Sequence, residues 1–81
     1  MKYEKEIIFP YDLHGRAAQQ FVQDISCNVF SGLYMEKDIR RINAHSLLGV
    51  LSLCVKKGDK IKFCSENKSA LDFLSELLKE V

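Results

Sequence analysis

Tryptophan is absent from this sequence, proline occurs once and glycine four times, so the backbone is punctuated at few places. There is no internal repeat and no low-complexity linker to separate two domains. An excess of one charge is missing too. Lys and Arg number 12 against 11 Asp and Glu, a formal charge of +1, which excludes a global field drawing the chain to nucleic acid or an anionic membrane. Long apolar runs are also lacking. The N-terminal stretch MKYEKEIIFPYD holds one three-residue apolar run among Lys and Glu, and reads as neither a signal peptide nor a membrane span. Cys27, Cys54 and Cys64 are odd in number and form no CxxC, which argues against a disulfide framework and for a reducing cytoplasm. Each is expected to act as a small buried or half-buried hydrophobe.

What is present is the mixture of a soluble globular domain, 47% apolar and 28% charged. Eighty-one residues leave room for one core, so residues 1–81 are expected to form a single domain. A chain of this size buries only about 60–65% of its unfolded surface, which predicts modest stability and shallow pockets. Residues 2–9 read as a strand that Pro10 ends. From Arg16 the period changes: Ala17, Ala18, Phe21, Val22 and Ile25 predict one apolar helix face. Residues 32–36 and 39–43 read as two short strands around the tip Glu36-Lys37-Asp38, with Leu33, Met35, Ile39 and Ile42 as core candidates. Ser46 is a good N-cap for a short helix containing Leu47, Leu48, Val50, Leu51, Cys54 and Val55, and Gly58 supplies the turn after it. KIKFCS alternates, placing Ile61 and Phe63 on one face and Lys60, Lys62 and Cys64 on the other. Ala70, Leu71, Phe73, Leu74, Leu77, Leu78 and Val81 then predict a last helix, with Ser69 and Asp72 as a weak capping box. The order β-α-β-β-α-β-α predicts an α+β, open-faced two-layer sandwich: a four-stranded antiparallel sheet with three helices on one face.

The stretch DLHGRAA, residues 12–18, carries the chemistry. The first turn of a helix leaves backbone N–H groups unpaired and carries roughly half a positive charge, so an anion is stabilised there. The donors would belong to Gly15, Arg16, Ala17 and Ala18, directly after His14, and Gly15 lets the backbone approach closely. Arg16 adds a guanidinium suited to phosphate oxygens. His14 is therefore a candidate phosphoryl acceptor. Taken alone, the same residues also fit a solvated loop histidine beside a surface arginine. The other histidine, His45, lies far off with no ligand-like spacing, so no metal site is expected. No Ser or Cys partners His14 and the carboxylates are scattered, so neither an independent hydrolase nor a cofactor is expected.

DLHGRAA resembles the active-site loop of HPr, the phosphocarrier of the bacterial sugar phosphotransferase system, usually L/I-H-x-R-P-A. NAHSLLGVLSLCVKKGDKI resembles that family's second signature, the regulatory-serine region of its Gram-positive branch. The two motifs stand in the family order at nearly the family interval, and the likeness covers almost the whole chain. The resemblance implies that His14 accepts a phosphoryl group from enzyme I, through Nδ1 in that family, and passes it to enzyme IIA domains, with Arg16 stabilising the phosphate. It implies that Ser46 matches the serine modified by an HPr kinase/phosphorylase, a form that docks on a catabolite-control transcription factor. Leu47, Leu48 and Leu51 match the family's exposed partner patch, which fits a short helix apolar on two faces. A cytoplasmic monomer is expected.

The chain also departs from the pattern. Ala17 replaces the family proline, His45 a lysine and Cys54 a small residue. The hairpin looks one residue longer and the turn into the last helix shorter. Two functions stay open: a working phosphocarrier, or a regulatory protein of the same fold acting through Ser46 and transcription-factor binding without carrier activity. Retained His14 and Arg16 favour the first, because regulatory-only relatives replace the histidine; the missing proline favours the second. Arg40-Arg41 and Lys56-Lys57 are read as solvated charge rather than a nucleic-acid surface.

Overall fold

The computed structural model describes residues 2–79. Strands β1 (Tyr3–Ile8), β2 (Leu33–Lys37), β3 (Arg40–Asn43) and β4 (Lys60–Ser65) alternate with helices α1 (Gly15–Asn28), α2 (Leu47–Ser52) and α3 (Lys68–Leu77) in the expected order. The strands pair antiparallel in the order β1-β4-β2-β3. One cross-sheet row runs Lys5, Phe63, Met35, Ile42, and the next runs Glu6, Lys62, Glu36, Arg41. This two-residue period puts Ile61, Phe63, Leu33 and Met35 under the helices, all buried. Ala18, Phe21 and Ile25 of α1, Val50 of α2, and Ala70, Leu71 and Leu74 of α3 close the core. Phe9 joins the layers, edge-on to Phe21 at 5.7 Å between centroids.

Several local expectations are corrected. Ile39 is fully exposed, because the hairpin turns at Asp38-Ile39 and lifts it off the core. Asp38 takes a positive φ there, which Asp tolerates better than most residues. The cap of α3 is Asn67, whose side chain accepts from the Ser69 N–H; Ser69 and Asp72 lie inside the helix. Val81 lies outside the described residues. Of the three cysteines expected to be buried or half-buried, Cys27 and Cys54 are exposed; Cys64 is buried, on the outer face of the sheet, because Glu4, Tyr34 and Glu36 stand beside it on neighbouring strands. Burial first, and then the Glu36 carboxylate, push its thiol above the ordinary cysteine range.

Loops 9–14 and 53–59 lie side by side. The Phe9 N–H donates to the Asp59 carbonyl at 2.8 Å, and the Gly58 N–H to the Phe9 carbonyl at 2.9 Å. The Lys57 N–H donates to Asp12 Oδ1 and the Leu13 N–H to the Val55 carbonyl, each at 2.9 Å. Cys54 has φ +54 within this arrangement, a left-handed conformation costly for a residue with a Cβ.

Cys54→Gly is expected to raise stability by about 1 kcal/mol, the relief of left-handed strain exceeding the entropy glycine loses on folding. Urea midpoints check this. Asp59 gives a second expectation. The Lys56 N–H, and then the Lys37 ammonium, hold its carboxyl below the ordinary range. A carboxyl lowered in the folded state stabilises the fold above its unfolded pKa, and that contribution is lost as pH falls through the folded value. The stability difference between the wild type and Asp59→Asn should persist from neutrality to about pH 5 and close in stronger acid, below about pH 4. Denaturation over a pH series measures it.

Candidate functional site

His14 is the N-cap of α1, with extended φ −146° and ψ 168°. Its imidazole makes no capping bond, although Ser46 caps α2 by accepting from the Gly49 N–H at 3.1 Å and Asn67 caps α3. No hydrogen bond or ion pair within the described residues engages the His14 ring, and it is exposed. Gly15 follows with φ +56, turning the chain from the extended His14 into the helix. A Cβ built on Gly15 would meet nothing within 4 Å, so the need for glycine is conformational rather than steric.

The first turn presents its donors outward. The N–H groups of Gly15, Arg16 and Ala17 precede the first donor of the helix ladder, the Ala18 N–H. Ala18 is a correction: its N–H is taken by the His14 carbonyl at 3.4 Å, the first bond of the helix, so it is not free for an anion. Arg16 is exposed and forms no ion pair among the described residues, and the first turn contains no acidic residue. Among the described residues the N–H groups of Gly15, Arg16 and Ala17 have no backbone partner, and they stand at the positive end of the helix. Such a helix end stabilises an anion by about 0.3–1 kcal/mol.

Leu13, His14, Leu51, Cys54, Val55 and Lys56 line one shallow, largely apolar depression. The fold thus brings the end of the apolar helix to the histidine. Leu48 is the most exposed of the patch at 80% and Leu51 is 37% exposed, while Leu47 is half-buried against the core. Ser46 is exposed at the opposite end of α2, one residue ahead of it. The His45 ring is engaged elsewhere: its Nε2 bonds the Ser31 carbonyl at 3.0 Å. Arg41 is paired with Glu36 and stacked over Tyr34, and Arg40 is bonded to Ser52. Sequence reading missed Cys54 and Lys56 as neighbours of His14, since nothing in spacing joins positions forty residues apart. No group of three or more metal-ligating side chains occurs among the described residues, and no helix there is long and apolar enough to cross a membrane.

A family model for the PTS HPr component phosphorylation site matches residues 2–80. The chain belongs to the HPr family. The HPr-like protein Crh of Bacillus subtilis is 29% identical over 72 residues, 89% of this chain and 84% of Crh. HPr of Thermoanaerobacter tengcongensis superposes with a TM-score of 0.84 at 33% identity, covering 95% of this chain and 91% of its own; that protein has also been crystallised as a dimer. Phosphocarrier protein HPr of Bacillus anthracis gives 0.81 at 28% identity, covering 94% and 92%. The HPr fold is therefore that of this chain, and the family is one of phosphocarriers.

Gly15→Ala is expected to destabilise by about 1 kcal/mol, purely through backbone conformation, since the added methyl has open space. Denaturation midpoints check the magnitude. An unchanged midpoint would mean that Gly15 does not hold this left-handed turn in solution.

Proposed function

We propose that this chain is a phosphoryl carrier of the sugar phosphotransferase system. His14 accepts a phosphoryl group from phospho-enzyme I and delivers it to enzyme IIA domains. The observation that carries the reading is the unengaged, exposed His14 ring at a helix start without a side-chain cap, followed in the first turn by exposed Arg16 and by three N–H groups without a backbone partner. A ring nitrogen, Nδ1 by family likeness, directs its lone pair at phosphorus. The new N–P bond forms as the donor's P–N bond breaks, and the other ring nitrogen keeps its proton. The donors then hold the phosphate oxygens, and the phosphohistidine is attacked in turn by the next acceptor. The chain is a substrate of the relay and supplies no turnover of its own.

Exposed Leu48 and Leu51, the latter lining the depression that holds His14, support a docking patch for these partners. Ser46 is proposed as a regulatory phosphorylation site for an HPr kinase/phosphorylase, a form offered to a catabolite-control transcription factor; its exposure supports this. The protein is proposed to act as a cytoplasmic monomer. The strand edges support that state: in the longest antiparallel registers, a second copy on the free edge of β1 would oppose Glu6 to Glu6 or Lys5 to Lys5. A purely regulatory protein is the second reading, favoured by the Crh likeness and by Ala17 in place of proline.

Incubation with enzyme I and phosphoenolpyruvate, followed by intact mass and acid treatment, tests the carrier. An acid-labile phosphate that is absent in His14→Ala is expected, with Arg16→Ala lowering the yield or lifetime about 10-fold or more, as loss of a charge-assisted contact predicts. No transfer, together with an ATP-dependent, acid-stable phosphate lost in Ser46→Ala, would establish the regulatory reading instead.

A further inference from the structure

Lys37 ends β2 and points to the helix side of the sheet, paired across the hairpin with Arg40. Its ammonium donates to the Cys54 carbonyl at 2.7 Å and to the Leu53 carbonyl at 3.4 Å, and lies 3.0 Å from Asp59 Oδ2. The same Asp59 oxygen accepts the Lys56 N–H at 2.9 Å. Two side chains therefore fasten the loop after α2 at residues 53, 54, 56 and 59. The intervening groups of that loop face the other way and fasten the acceptor loop: the Val55 carbonyl takes the Leu13 N–H, and the Lys57 N–H goes to Asp12. Leu13 is the residue before His14.

We propose that Lys37 and Asp59 are positioning residues for His14, acting through the 53–59 loop without touching the acceptor; this rests on the carrier reading above. A loop without repeating structure keeps a fixed shape only where its polar groups are committed, and here they alternate between the clamp and the acceptor segment. The clamp also explains how Cys54 keeps a left-handed φ of 54°, since its carbonyl is pinned by Lys37. Both side chains are partly exposed, at 24% and 30%, where ion pairs add little to global stability. Transfer is far more sensitive than stability: a misplacement of about 1 Å at a reacting group can cost about 100-fold in rate. A positioning role and a merely structural one are thereby separable.

The test uses the full chain with enzyme I and phosphoenolpyruvate, measuring initial rates of phosphohistidine formation against chain concentration. Alongside, NMR follows the Leu13 amide exchange and the His14 ring resonances. Lys37→Met and Asp59→Ala are each expected to lower kcat about 10-fold with a smaller change in KM, consistent with modest displacement of the acceptor. Leu13 exchange should quicken and the His14 ring signals shift, while the melting temperature falls only slightly, in Asp59→Ala by about as much as in Asp59→Asn. Lys37→Arg, which keeps the donors, should recover most of the rate. Lys62→Met, which breaks the similarly exposed Lys62–Glu4 pair on the outer face, should leave rate and exchange unchanged. Wild-type rate and Leu13 exchange in the two clamp variants would overturn the proposal, as would an equal loss in Lys62→Met. If the wild type takes no phosphate at all, the carrier reading fails and the clamp is judged by NMR. Faster Leu13 exchange with shifted His14 signals then supports it, and unchanged spectra overturn it.

Discussion

The hydrogen-bonded seam between loops 9–14 and 53–59 is the constraint on which the remainder of the site depends. Phe9 and Leu13 are buried, so their backbone groups need partners that water cannot supply. Neither loop belongs to a helix or strand. Each meets the need of the other, with Phe9 both donating to Asp59 and accepting from Gly58. Gly58, at φ +94, makes the turn that brings both groups within reach. The apolar core therefore positions His14 through two anchored side chains and four hydrogen bonds.

The short helix α2 shows the same dependence of local structure on distant residues. Six residues span about 9 Å and are far below the length that is stable alone. Its N-terminus is capped from within the sequence by Ser46. Its C-terminus has no basic residue of its own, and the cations come from the β2–β3 hairpin: Arg40 bonds Ser52, and Lys37 takes the carbonyls of Leu53 and Cys54. Cations at that end also oppose the helix dipole favourably. On the outer face of the sheet, charge is used differently. Glu6, Lys62, Glu36 and Arg41 alternate in sign across the four strands. Their worth in stability is small at such exposure, but the carboxylates beside Cys64 help keep an otherwise accessible thiol from solvent.

Periodicity made the element order legible, because burial on one face imposes a two-residue period on every strand and a 3.6-residue period on α1 and α3. His14, Arg16 and Ser46 were legible because helix starts have a local chemistry readable within a few residues. Ile39 was not, since whether an apolar residue near a hairpin tip turns inward depends on where the turn falls by one position. Cys64 alternates onto the polar face as expected; its burial is set by side chains from two other strands. The Lys37–Asp59 pair had no sequence signal at all. Its partners are 22 positions apart, and three of its contacts are to backbone atoms, which any residue type could offer. Residue identity marks side-chain chemistry more readily than it marks who supplies a carbonyl.

The treatment of the three helix starts links stability to function. A side-chain cap is worth about 1 kcal/mol, and this chain installs one at α2 and one at α3. At α1, the longest helix, the cap position holds a histidine whose ring makes no such bond. Stability alone would favour Ser, Asp or Asn there, and a left-handed glycine after it adds a further conformational demand. The donors left open by that omission are those of Gly15, Arg16 and Ala17, directly beside a nucleophilic ring. Ala17 sharpens the point. Proline there would fix φ but withdraw one N–H, whereas alanine leaves all three donors available at the expense of a less rigid first turn. In this chain the rigidity that proline would lend locally is supplied from outside, by the seam to the 53–59 loop. A helix start left without a side-chain cap, and steadied by a neighbouring loop, suits the phosphate-carrying role proposed for His14.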